Sequence, residues 1–144
     1  MNYEIKLDIN IKAPIEVVWK ELVNFEVYNS WNPVFASIIG DFKVNSKLKI
    51  KLKNDMKLKA LLLEINEEKS FKWLMTIGPK FLFNSIHSFE LEKIDENTTK
   101  FIQTETFAGM GVKKFWKKMK LATEQGYDYM NMALKYRCEN LMKK

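Results

Sequence analysis

Few residues in this chain are equipped for chemistry. Among 144 residues there is one histidine, His87, and one cysteine, Cys138. His87 lies in an alternating stretch that a tight turn at Asp95-Glu96-Asn97 folds back on itself. Leu91 then faces Phe101, Phe89 faces Gln103, and His87 faces Glu105. A carboxylate beside an imidazole raises its basicity and fixes its tautomer. A buried His87/Glu105 pair therefore has the makings of a general base for removing a proton next to a carbonyl, as an aldol-type ring closure requires. The same pair also reads as a satisfied buried contact, or as an anchor for the polar end of an apolar ligand. No electrophile stabiliser accompanies it. Gln103, on the same face, offers one hydrogen bond to a ligand oxygen.

Other chemistries are disfavoured. A single cysteine makes no internal bridge, and with one histidine no zinc or iron ligand set is expected, nor any other cofactor. No phosphate-binding loop is present. Net charge is +6, from 24 basic and 18 acidic residues, which tolerates anionic partners but is far from a nucleic-acid-binding composition, so no nucleic acid is expected. No charged-then-apolar leader opens the sequence, and no apolar run approaches the ~18 residues of a membrane span, so a cytoplasmic location is expected.

The elements that must position these residues follow from periodicity. Tyr3 to Ile11 alternates strictly and predicts a half-buried strand. Ala13-Pro14 opens a helix with Ile15, Val18, Trp19 and Leu22 on one stripe, and a second short helical piece from about Phe25 to Ser30 stops before Pro33. Lys47 to Lys53 alternates lysine with apolar residues. A turn at Asn54-Asp55-Met56 then pairs Lys53 with Lys57, Leu52 with Leu58 and Lys51 with Lys59, making a lysine face that guards against edge pairing or meets an anionic surface. At Leu61-Leu62-Leu63 the alternation breaks, which predicts a bulge. With Gly78-Pro79-Lys80 as the next turn, Met75 faces Phe83, Trp73 faces Ser85 and Phe71 faces His87. The core face then carries Phe71, Trp73, Met75, Phe81, Phe83, Phe89, Leu91, Phe101 and Phe107.

Val112 to Lys144 reads as one long amphipathic helix. Val112, Phe115, Trp116, Met119, Thr123, Gly126, Met130, Ala133, Leu134 and Leu141 form its stripe. At ~1.5 Å per residue it spans ~48 Å and needs a broad sheet beneath it. Met119, Gly126, Met130 and Ala133 are soft or small and would not fill that space, so a curved sheet under this helix leaves a cavity. Helices segregated from an antiparallel sheet define an α+β fold of one domain, 1–144.

Several stretches resemble a known family: Ile11-Lys12-Ala13-Pro14-Ile15-Glu16-Val17-Val18-Trp19, Tyr28-Asn29-Ser30-Trp31-Asn32-Pro33, His87-Ser88-Phe89-Glu90-Leu91 and Glu105-Thr106-Phe107-Ala108-Gly109. The chain resembles the SRPBCC, or START-like, superfamily over essentially its whole length. That resemblance implies a helix-grip fold with an apolar cavity between a curved sheet and the C-terminal helix. It also puts Trp31 near the cavity mouth, beside the Gly109 to Gly111 loop. The superfamily includes lipid and sterol carriers, polyketide cyclases and chaperone cofactors, with no shared catalytic signature.

Three functions are therefore expected as rivals. The first is a carrier of a small hydrophobic ligand, lipid or polyketide-like. Its expected lining is Trp31, Phe71, Trp73, Phe83, Phe89 and Phe101, with the polar His87, Gln103 and Glu105, and Met119, Gly126 and Met130 from the helix. The second is a polyketide cyclase/dehydrase-type enzyme with His87 and Glu105 as catalytic groups. The third is a chaperone-activator-like module binding a protein through lysines. Lys113, Lys114, Lys117 and Lys118 oppose the helix macrodipole, and with Phe115, Trp116 and Met110 they suggest transient contact with an anionic membrane surface.

Overall fold

The computed structural model describes residues 3–143. Its elements run β1 (Glu4–Ile11), α1 (Ile15–Val23), a 3₁₀ turn (Phe25–Val27), α2 (Tyr28–Trp31), β2 (Phe35–Ile39), β3 (Lys47–Leu52), β4 (Lys57–Asn66), β5 (Ser70–Thr76), β6 (Asn84–Asp95), β7 (Thr98–Ala108) and α3 (Val112–Met142). The predicted last residue of the helix, Lys144, lies outside the described residues. The strands form one antiparallel sheet in the order β1-β7-β6-β5-β4-β3-β2, curled around α3. This is the helix-grip arrangement.

Register follows the loops. The β6–β7 hairpin pairs Leu91 with Phe101, Phe89 with Gln103 and His87 with Glu105, as its tight turn dictates. Two other hairpins are shifted by two residues from expectation. Lys51, not Lys53, faces Lys57, because Leu52 donates its N–H to Met56 and Asp55 turns with a positive φ of 71°, which takes Lys53 into the loop. Trp73 faces His87 and Phe71 faces Phe89, because residues 77–83 form a wide loop closed by Leu82 N–H to Pro79 O. A two-residue shift preserves which face each side chain occupies, so the inside and outside of the sheet are unchanged. The bulge falls between Leu62 and Glu64 and bends the sheet there.

The interior has a filled half and an open half. Beneath α1, Trp19, Phe25, Phe42, Phe71, Trp73 and Phe89 pack edge to face or stacked, with Phe71 on Phe89 at 4.4 Å between ring centres. Each fully buried aromatic or aliphatic side chain of this kind contributes roughly 1.5–3 kcal/mol. Phe35 and Tyr28 close this half, and the Tyr28 hydroxyl donates to the Leu22 carbonyl. From Tyr127 onward α3 joins it, burying Met130, Leu134 and Cys138, and Arg137 clamps Glu21 of α1 at 2.6 Å. Between Val112 and Tyr127 no residue of α3 is buried. Phe115 and Leu141, expected on the buried stripe, are exposed, as is Phe81, which sits in the wide loop.

Among the described residues, no helix is long and apolar enough to cross a membrane, and no group of three metal-ligating side chains occurs. Lys47, Lys49, Lys51, Lys57 and Lys59 are all exposed on one face of β3 and β4, and Lys53 is exposed in the turn between them.

Candidate functional site

The open half is a cavity of about 410 Å³. Its walls come from the first half of α3 (Met119, Ala122, Thr123, Gly126, Tyr127), from Val34 and Phe35 of the chain entering β2, from Leu58 of β4 and Met75 of β5, and from Glu105 and Phe107 of β7. Lys53 and Asn54, in the exposed β3–β4 turn, stand at its rim. The under-filled stretch of helix is what leaves it open, since Gly126 has no side chain and a Cβ there would reach Val34 at 3.4 Å.

Glu105 and Tyr127 form the inner end, and both are fully buried in a hydrogen-bonded network. Ser85 donates to Glu105 Oε2 at 2.5 Å, and Tyr127 donates to Glu105 Oε1 at 2.6 Å. The Tyr127 hydroxyl also lies 3.2 Å from His87 Nδ1. On its other side His87 Nε2 meets Gln103 Oε1 at 3.0 Å, and Gln103 donates onward to Asn131 Oδ1 at 2.6 Å. The sheet contributes four members and α3 two, one turn apart on the same face, so the network fastens the middle of the helix to β6 and β7.

Electrostatics follow from burial. Desolvation pushes the Glu105 carboxyl up from 4.5 to about 7, against the opposing pull of the hydrogen bonds from Ser85 and Tyr127. Desolvation drives the His87 imidazole down to about 3, only partly offset by Gln103. The Tyr127 phenol is raised well above its ordinary value by burial and by the neighbouring Glu105 carboxylate. His87 is thus a neutral imidazole, stacked on Phe89 at 3.9 Å between ring centres. This corrects the expected basicity of the pair. The two residues are partners across the strands, but Tyr127 stands between their side chains, and burial sets the basicity of the imidazole. The group that titrates near neutrality and faces the cavity is Glu105.

Of the expected lining, Glu105, Met119 and Gly126 bound the cavity. Phe71, Trp73, Phe89, Phe101 and Met130 lie outside its lining, fully buried in the filled half, because facing aromatic rings close the space between them. His87 and Gln103 sit one layer behind, reaching the cavity only through Tyr127. Phe83 packs on Phe115 near the start of α3, and Trp31 packs on Tyr28, neither bounding the cavity. Tyr127, Ser85 and Asn131 were missed. Ser85 was legible as a fourth polar residue on the inward face of the β6–β7 hairpin, and Thr123, Tyr127 and Asn131 form one row at four-residue spacing on the helix.

The chain is similar to the Zhui aromatase/cyclase from a Streptomyces species, at 11% identity and a TM-score of 0.79, covering 96% of this chain and 94% of that one. It is similar to a norcoclaurine synthase from Thalictrum flavum, a point mutant in complex with a transition-state analogue, at 10% identity and a TM-score of 0.76, covering 99% and 97%. XoxI from Bacillus cereus matches at 16% identity and a TM-score of 0.78, covering 96% and 97%. The likeness is one of fold: all three share the helix-grip arrangement of a curled antiparallel sheet around a long C-terminal helix. No family model matches the sequence, and no curated protein matches it.

Proposed function

We propose that the protein binds a small, largely apolar molecule in the cavity between its sheet and the first half of α3. The observation that carries this reading is a cavity of about 410 Å³ with apolar walls and two convergent polar groups, Glu105 and Tyr127, at its inner end. Sites for small molecules have this size, about 300–1,000 Å³, and this distribution of polarity. The kinship of fold with an aromatase/cyclase supports a polyketide-like aromatic over a long acyl chain. Native mass spectrometry of the protein purified from its own source, set against its 17.1 kDa denatured mass, tests the reading. A reproducible adduct lost on denaturation supports it. A bare mass, with no uptake of naphthalene-type probes, sinks it.

One observation favours acid–base catalysis as a second reading. Glu105 titrates at about 7 and faces the cavity, which suits a cyclase-type proton transfer with Tyr127 as its partner. In that case Glu105→Gln abolishes turnover of a bound polyketide while leaving its affinity within severalfold. Lys113, Lys114, Lys117 and Lys118, all exposed beside Phe115 and Met110, support collection of the ligand from an anionic membrane. Co-sedimentation with phosphatidylserine vesicles that vanishes in high salt is the expected result.

A further inference from the structure

The inner end of the cavity has oxygen atoms but no spare proton. Tyr127 has one hydroxyl hydrogen for two acceptors, Glu105 Oε1 at 2.6 Å and His87 Nδ1 at 3.2 Å. If Glu105 carries a proton, the chain runs outward: Glu105 donates to Tyr127, Tyr127 to His87 Nδ1, His87 Nε2–H to Gln103 Oε1, and Gln103 to Asn131. Ser85 donates to the other oxygen of Glu105. If Glu105 is ionised, Tyr127 donates to it, His87 donates from Nδ1 to Tyr127, and the amides of Gln103 and Asn131 turn over to match. Both arrangements keep the side-chain chain connected, the second giving up the long 3.5 Å contact of Gln103 Nε2 with the Tyr127 carbonyl, and both spend the hydrogens of Glu105 and Tyr127 inside the network. What remains toward the cavity is lone pairs. The buried donors without partners elsewhere, on Trp31, Asn32 and Trp73, belong to residues outside the lining. Lys53, Asn54 and Thr123 do supply donors, but they are exposed or half-buried, on the rim side of the fully buried pair.

We infer that the cavity selects an apolar ligand whose inner end donates a hydrogen bond, a hydroxyl or an N–H, and discriminates against one that places a carbonyl, ether or carboxylate oxygen there. A ligand oxygen set against Glu105 and Tyr127 would face lone pairs at the buried inner end, and would lose its own hydration there without replacement. A hydroxyl would find a waiting acceptor. An acidic group on the same ligand belongs at the other end, next to Lys53. This selectivity rests on the ligand-binding reading above and names the class of ligand that the same cavity takes.

A matched probe series separates the two claims: naphthalene, 2-naphthol, 2-methoxynaphthalene and 2-acetylnaphthalene, each titrated by calorimetry at pH 7. The expected order places 2-naphthol about fivefold to tenfold tighter than the ether and the ketone, the worth of one buried hydrogen bond. Glu105→Gln gives the inner end an amide with one hydrogen for Tyr127 and one to spare, so the ketone should gain and the gap should narrow or reverse. Tyr127→Phe, which frees the Glu105 proton, serves the same purpose should the first variant not fold. If the ether and ketone match 2-naphthol in the wild type, the selectivity falls while the ligand-binding reading stands. If none of the four probes binds, both fall.

Discussion

Replacing Glu105 by glutamine should change how stability responds to pH more than it changes stability itself. In the native protein the Glu105 carboxyl holds its proton up to about pH 7, whereas in the unfolded chain it ionises near 4.5. Between those values the folded state carries a proton that the unfolded state has released, so stability falls as pH rises through the window and is flat above it. At 1.36 kcal/mol per pH unit the loss is about 3 kcal/mol. His87 acts in the opposite sense. Its imidazole stays neutral in the fold down to about 3 but protonates near 6.5 when unfolded, so its contribution is complete above pH 6.5 and is lost progressively as pH falls toward 3. In the wild type the two slopes oppose each other between pH 4.5 and 6.5, giving a flat profile. In Glu105→Gln only the histidine slope remains, and stability climbs through the same window. Urea unfolding from pH 4 to 8 measures this. With m near 1–3 kcal/mol/M, the difference in midpoint between variant and wild type should grow by roughly 1 to 3 M across the window. Parallel profiles for the two proteins would refute the assignment of a proton to buried Glu105.

Three further outcomes are expected. Gly126→Ala should raise thermal stability, since alanine gains about 1 kcal/mol over glycine inside a helix and its Cβ makes ordinary contact with Val34 at 3.4 Å, while weakening uptake of naphthalene probes by narrowing the cavity. Gly109→Ala should lower the melting temperature, because φ is +118° and a Cβ would overlap the carbonyl of Leu82; an unchanged melting curve would contradict that geometry. Cys138, whose thiol burial pushes up to about 12, should resist iodoacetamide in the native protein and react fully in denaturant, as mass spectrometry would read.

Periodicity carried the reading of the fold far. Alternation from Tyr3 to Ile11 and the Asp95-Glu96-Asn97 turn placed β1, β6 and β7, and with them the pairing of His87 with Glu105. The two shifted hairpins turned on loop geometry, the positive φ of Asp55 and the wide 77–83 loop, to which a period of two is blind. The site was half legible. Polar residues on an inward strand face stood out against phenylalanines. Tyr127 did not, because an aromatic on a helix stripe looks like core until a carboxyl and an imidazole are seen on either side of its hydroxyl. Nor does sequence spacing reveal that aromatic rings close one half of the interior and leave the other open.

The long helix divides its labour along its length. From Tyr127 to Cys138 it supplies buried side chains and the network to the sheet, and substitutions there threaten the fold. From Val112 to Gly126 it supplies the walls of the cavity, yet after Val112 none of its side chains is buried, so little stability depends on them. Met119, Ala122, Thr123 and Gly126 are therefore free to vary. A lineage, or an engineer, can reshape what the cavity accepts by drifting through these four positions while the other half of the same helix keeps the protein folded.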